Sequence, residues 1–180
     1  MNKILVALLL LALVWPAPVI CAHEVEDNLV RISLSIFPKL VAVDLEMKDK
    51  LTPDNQIRLH IFYDKKKDLA EIIADHLRDK YPRIAGISTQ VTLGNTLPSE
   101  TPTAILLVEH LELSALKKLV DYGIGHRRLV FSPFKEDVDR GVTAGMYMAI
   151  RILPYFNRDT LTRSKIRIHE ILLRSAKFYE

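Results

Sequence analysis

Six histidines, one cysteine and a scatter of carboxylates are what this 180-residue chain has for chemistry. None stands in a spacing that a familiar reaction demands. There is no Gly-rich phosphate loop closed by Lys-Ser/Thr, no Gly-x-Ser-x-Gly elbow and no His-Glu-x-x-His. There is also no cysteine pair for metal or redox work. Tyr122-Gly-Ile-Gly-His126 contains Gly-x-Gly, but it follows a predicted helix, whereas dinucleotide binding places its glycines between strand and helix. His23, if it became the first residue, could chelate copper through its α-amino group and imidazole, but further ligands would be needed. A solvated first residue is the plainer reading. His60 lies inside a predicted strand and reads as a hydrogen-bonded core histidine. His76, His110, His126 and His169 are scattered over predicted helix and loop surfaces. No catalytic residue, metal or cofactor is expected on this basis.

The most distinctive polar segment is Phe131-Ser-Pro-Phe-Lys-Glu-Asp-Val-Asp-Arg-Gly141. It follows a predicted strand, and α/β sheets bind ligands at the carboxyl ends of their strands. As a recognition loop it would offer Phe134 as anchor, Arg140 as charge partner, and Ser132 and Asp137 as polar contacts. As a plain surface loop it would only cap the sheet. Arg151 and Asn157 could join such a site, although Asn157 can equally cap a turn through local backbone bonds.

These residues need a scaffold, and hydrophobic periodicity outlines one. Leu29 to Val43 fits both periods; Glu26-Asp27-Asn28 in front favours a helix, bent or interrupted at Pro38. Asp49 to Asn55 reads as a polar loop. Ile57 to Tyr63 reads as a strand, Leu69 to Lys80 as a helix ended by Tyr81-Pro82, and Ile84 to Leu93 as a β-rich run. After a loop over 94–103, Ala104 to Val108 is continuously apolar, as in a strand buried on both faces. Leu113 to Tyr122 reads as a helix with Leu113, Leu116, Leu119 and Val120 inward, ended by Gly123 and Gly125. Leu129 to Phe131 is another buried strand. Phe134 to Arg140 reads as a charged loop. Val142 to Leu153 reads as one strand, with Gly145 marking a bulge or close approach. Pro154 to Asn157 then turns the chain, Leu161 to Ile168 connects, and Ile171 to Phe178 forms a terminal helix with Ile171, Leu172, Ser175 and Ala176 inward. The expectation is an α/β, three-layer-like domain: a largely parallel mixed sheet flanked by helices, with a β-α-β-β-α-β core plus C-terminal strands and helix.

Residues 1–22 read as a cleavable signal peptide. Lys3 supplies the positive start and Ile4 to Val14 an apolar run of about 11 residues, half of what a membrane span needs. Cleavage after Ala22 leaves residues 23–180 as a single periplasmic domain without cysteine. Lipidation at Cys21 is disfavoured by the bulky Val19-Ile20 before it. The net charge is +3, with both signs interspersed. No basic stripe interleaved with aromatics points to nucleic acid, and Lys65-Lys66-Lys67, flanked by Asp64 and Asp68, reads as a solvated helix start.

The ending carries a pattern: Gly141-Val-Thr-Ala-Gly145, then Arg151-x-x-Pro154-x-x-Asn157-x-x-x-Leu161-x-x-Ser164, Ile166-x-Ile168 and Leu172-Leu173-x-x-Ala176-Lys177. With the N-terminal helix before a proline and the strand Ile105–Val108, it resembles the YfiR-like family of small periplasmic regulatory proteins. That resemblance implies a binding protein, not an enzyme. Its partner would be the periplasmic sensor domain of an inner-membrane diguanylate cyclase, which it would repress, so controlling cyclic-di-GMP and biofilm formation. An outer-membrane lipoprotein as sequestering partner and a homodimer are also implied. Family members can carry disulfides in the mature domain, and this chain has no cysteine there. The alternative from the residues alone is a periplasmic small-ligand- or metal-binding protein.

Overall fold

A computed structural model describes residues 20–180, with side chains from Glu24 onward. The export signal over 1–22 and the copper reading of His23 therefore lie outside what is described. Among the described residues no helix is long and apolar enough to cross a membrane.

The described residues open with α1 (Ile20–Ser33) and α2 (Phe37–Ala42), separated by a turn and followed by a 3-10 segment, Met47–Lys50. The break falls just before Pro38, which occupies the first turn of α2, where its missing N–H costs nothing. The order continues β1 (Ile57–Phe62), α3 (Lys67–Lys80), β2 (Arg83–Ile84), β3 (Ile87–Gly94), β4 (Ala104–Leu107), α4 (Leu113–His126), β5 (Leu129–Ser132), α5 (Lys135–Asp139), β6 (Ala144–Met148), β7 (Ile152–Asn157), α6 (Arg158–Arg163), α7 (Glu170–Ser175) and β8 (Lys177–Tyr179).

The eight strands of the described residues form one sheet, ordered β2-β3-β1-β4-β5-β6-β7-β8. Its centre, β3-β1-β4-β5-β6, is parallel. β2 is added antiparallel through a two-residue turn, Ala85-Gly86, with both φ angles positive. β7 pairs antiparallel with β6, and β8 lies parallel to β7. This is the α/β fold with helices on both faces that the periodicity predicts. On one face Ile57, Leu59, Ile61, Leu106 and Phe131 pack under α1, α2 and α3. On the other Ile105, Leu107 and Val130 pack under α4. The β3–β4 connection has no helix, so around Arg58 and His60 the second face of β1 and β3 lies under the loop 95–103.

Several local readings are corrected. α4 runs through Gly123 and Gly125 and ends at Arg127 in the left-handed conformation. Gly123 serves close packing instead, since a Cβ there would sit 2.5 Å from Val130 Cγ2. Leu113 is exposed, not inward. The Phe134–Arg140 loop contains α5 and buries Asp137 and Val138. The apolar run 142–153 is two strands joined at Ala149–Arg151, and Pro154 to Asn157 continue β7 instead of turning. The 161–168 connection begins inside α6. The terminal helix is only α7, with Ile171 exposed, and the chain closes on β8. Lys50, expected in a polar loop, is buried against Asp44.

Gly145 fulfils the close-approach reading. A Cβ there would stand 2.5 Å from the Ser132 carbonyl oxygen and 2.6 Å from Val138 Cγ2. Gly145→Ala is expected to cost about 1–3 kcal/mol in urea unfolding, because backbone must move. Gly125→Ala, with open space around it, is expected to gain up to about 1 kcal/mol from helix propensity.

Candidate functional site at the carboxyl edge of the sheet

β3 and β4 flank β1 on opposite sides, so the chain reverses its winding direction between β1 and β4. That is the switch point where open α/β sheets place ligands. Glu109 and His110 follow β4 there. One oxygen of Glu109 accepts the backbone N–H groups of Asp64, Lys65 and Lys66, each at 2.8 Å. These donors lead into α3, and such a nest of N–H groups is an anion site. Here the chain's own carboxylate occupies it.

His110 turns the other way. Its Nδ1 lies 2.8 Å from Asp137 Oδ1, and its ring stacks on Phe134 with centroids 4.0 Å apart. Asp137 is fully buried. Its second oxygen accepts the Ser132 hydroxyl at 2.7 Å, and Ser132 Oγ accepts the Phe134 N–H at 3.2 Å. The hydrogen bond to Asp137 holds His110 above its ordinary pKa, against the opposing effect of burial. A carboxylate-oriented imidazole is half of an acid–base machine. The other half is not assembled, because Ser132 is buried and gives its proton to Asp137, not to the histidine. The imidazole instead lines an open cleft of about 430 Å³, shared with Lys65, Glu112 and Arg140.

The predicted site residues are thus split by their roles. Ser132, Phe134 and Asp137 come together, but as a buried brace behind His110. Asn157 caps α6, accepting from the Thr160 N–H and donating to the Val138 carbonyl, both at 2.9 Å. Arg140 alone of the six faces solvent at this edge, between the first cleft and a second of about 530 Å³ walled by Lys117, Asp139 and Arg163. Arg151 is not part of it; it sits in the exposed turn between β6 and β7. Glu109 and His110 were missed. Their position at a strand's carboxyl end beside the switch point was the available signal. Among the described residues, no three His, Cys, Asp or Glu side chains are grouped to hold a metal ion.

β6 begins level with the end of β5, with Ala144 opposite Phe131 and Gly145 opposite Ser132. Met146 to Met148 therefore pair only with β7, and β8 reaches only Tyr155 to Asn157. The segment Met146–Pro154 is a two-stranded ribbon standing beyond the sheet. Its outer end carries Met148, Ile150 and Ile152 into solvent, Ile150 completely. Its base is braced by Tyr155, whose hydroxyl donates to Asp139 at 2.7 Å under the Lys135 ammonium.

No protein-family model matches the chain, and no curated protein matches it. Two solved structures share its fold. One is the ABC domain in complex with L-Trp from Streptococcus pneumonia, 13% identical, with a TM-score of 0.51 over 77% of this chain and 61% of that one. The other is a conserved domain protein from Vibrio cholerae, 15% identical, with a TM-score of 0.52 over 78% of this chain and 60% of that one. The chain thus spans about three fifths of the length of each. At these identities the likeness is one of fold.

Buried His60 and half-exposed His110 predict opposite pH effects. Burial pushes His60 from 6.5 down to about 4. Its contribution to stability is full above pH 6.5 and is lost as the pH falls toward 4, by up to about 3 kcal/mol. Wild type minus His60→Gln, measured by urea unfolding at pH 7.5 and 4.5, should show that loss. The raised pKa of His110 works in reverse: its pairing with Asp137 stabilises fully below pH 6.5 and fades as the pH rises through the folded-state value. His110→Gln should remove that alkaline-side decline.

Proposed function

We propose that this chain is an exported binding protein that restrains a membrane-bound diguanylate cyclase by docking on its periplasmic sensor domain. The observation that carries the reading is the ribbon. Isolated two-stranded ribbons are marginal in water, and an apolar tip in solvent marks an interaction surface more than a stability device. Its sequence, from Gly145 through Arg151, Pro154 and Asn157, belongs to the stretch that resembles the YfiR-like regulators. The groups a hydrolase would expose at the carboxyl edge, Ser132 and Asp137, are consumed in bracing this region. Such a protein needs no chemistry. It must bind one sensor state better than the other, and inverting a two-state population takes roughly 5 kcal/mol of differential affinity. An interface of ordinary size supplies that.

A second reading, a small-ligand-binding protein, is favoured by the two clefts around Arg140 and by a fold shared with a domain solved with L-Trp. Calorimetric titration of L-tryptophan, with Arg140→Gln as control, separates it from the first.

Deleting the gene in its host is expected to raise cellular cyclic-di-GMP several-fold, and re-expressing the exported wild-type chain should reverse this. Ile150→Asp, on a fully exposed side chain, should leave the circular dichroism and melting curve unchanged yet fail to restore repression. Unchanged cyclic-di-GMP on deletion, or full complementation by Ile150→Asp, would remove the docking reading.

A further inference from the structure

The sheet has a second hollow, far in sequence from both the ribbon and Arg140, where the missing β3–β4 helix leaves one face of β1 and β3 under the loop 95–103. Side chains alternate along a strand, so Arg58 and His60 share this face with their register partners Gln90 and Thr92. Arg58 Nε donates to Gln90 Oε1 at 2.7 Å, and His60 Nδ1 lies 2.9 Å from Thr92 Oγ1. Together with Gly94, Leu97 and Glu100 these residues line a cavity of about 380 Å³, within the range of small-molecule sites.

Two features set this hollow apart from an ordinary polar sheet face. His60 is only 5% exposed, yet its Nε2 has no hydrogen-bond partner. A buried orphan of this kind costs about 1–3 kcal/mol and native structures carry few. The glycine beside it keeps the space open: a Cβ on Gly94 would lie 3.6 Å from that nitrogen. The second feature is Arg58. Its guanidinium is largely buried, but its ion-pair partner, Glu100, is on the loop and 73% exposed. A buried cation matched to an exposed surface carboxylate is arranged for exchange, since an incoming carboxylate loses nothing that Glu100 does not regain from water.

We propose that this hollow binds a small organic acid with a hydrogen-bonding group at its far end: Arg58 takes the carboxylate in place of Glu100, and His60 Nε2 pairs with the distal group. Arg58 and His60 are two residues apart on β1, about 6.6 Å along the strand, comparable to a benzene ring carrying a substituent at each end. Leu97 and Pro98 supply an apolar wall. The imidazole is neutral at physiological pH, so a hydroxyl, which both donates and accepts, suits either tautomer. The site is independent of the regulatory reading and stands or falls without it.

The probes are 4-hydroxybenzoate and benzoate, titrated into the folded chain and followed by backbone amide shifts and calorimetry. Saturable binding of 4-hydroxybenzoate is expected, with shifts concentrated at Arg58, His60, Gly94 and Leu97 and affinity at least fivefold above benzoate. Arg58→Gln should abolish it. Glu100→Gln, at an exposed loop position and with its fold checked by circular dichroism, should tighten it several-fold by removing the internal competitor. Gly94→Ala should weaken it about tenfold. Absence of saturable shifts at millimolar probe, or binding indifferent to both Glu100→Gln and Gly94→Ala, overturns the proposal.

Discussion

One carboxylate oxygen organises the centre of this domain. Glu109 closes β4 and gathers three consecutive backbone N–H groups ahead of α3. Hydrogen bonds to a charged acceptor contribute about 1.5–3 kcal/mol each, and these donors sit in the turn before α3, where no strand or helix partner is on offer. The bonds lock the end of β1 to the end of β4, which is the switch point itself. The same turn holds the N-terminal helix, because the Lys66 ammonium bonds Glu26 and Asp27 of α1 at 3.0 and 2.8 Å. With its nest already filled, the switch point has no vacancy for a phosphate. The cation left open to an outside ligand stands at its rim, on Arg140, beside the His110 ring.

A second consequence runs along the sheet. Asp137 sits under His110 and accepts the Ser132 hydroxyl, fixing α5 against the end of β5. Val138 and the Ser132 carbonyl then leave room only for glycine at position 145. β6 can therefore begin level with the end of β5 and carry its pairing outward with β7. The stagger that makes the ribbon protrude is thus set by a buried polar brace. The residues expected to recognise a partner are the ones that aim the ribbon.

Legibility in the sequence followed the physics of each segment. β1, β4, β5 and α3 were readable because burial demands apolar runs or a clear helical period. The segment 134–140 was not, since α5 is a single charged turn whose buried members, Asp137 and Val138, do not form a stripe. The ribbon was hidden because its turn, Ala149-Ile150-Arg151, contains none of the residues that usually mark one. Gly123 misled because a glycine near a helix end reads as a stop, while here it admits Val130. The C-terminal Lys177–Tyr179 is too short for a period, and it becomes a strand because β7 offers an open edge. At the site, Arg140 was readable from its place after a strand. The pairing of His110 with Asp137 was not, because tertiary structure alone joins residues so distant in sequence.

The distribution of polar groups separates two kinds of surface. At the carboxyl edge Glu109, Asp137, Ser132 and Asn157 are each satisfied by the chain, which fixes their side chains in place. Beneath the 95–103 loop, Arg58 rests on a replaceable partner and His60 Nε2 on none. At the ribbon tip, apolar side chains stand where burial would have stabilised them. The unpaired nitrogen and the exposed isoleucine are therefore places where stability has been left incomplete, and a contact from outside the chain is the physical means of completing each.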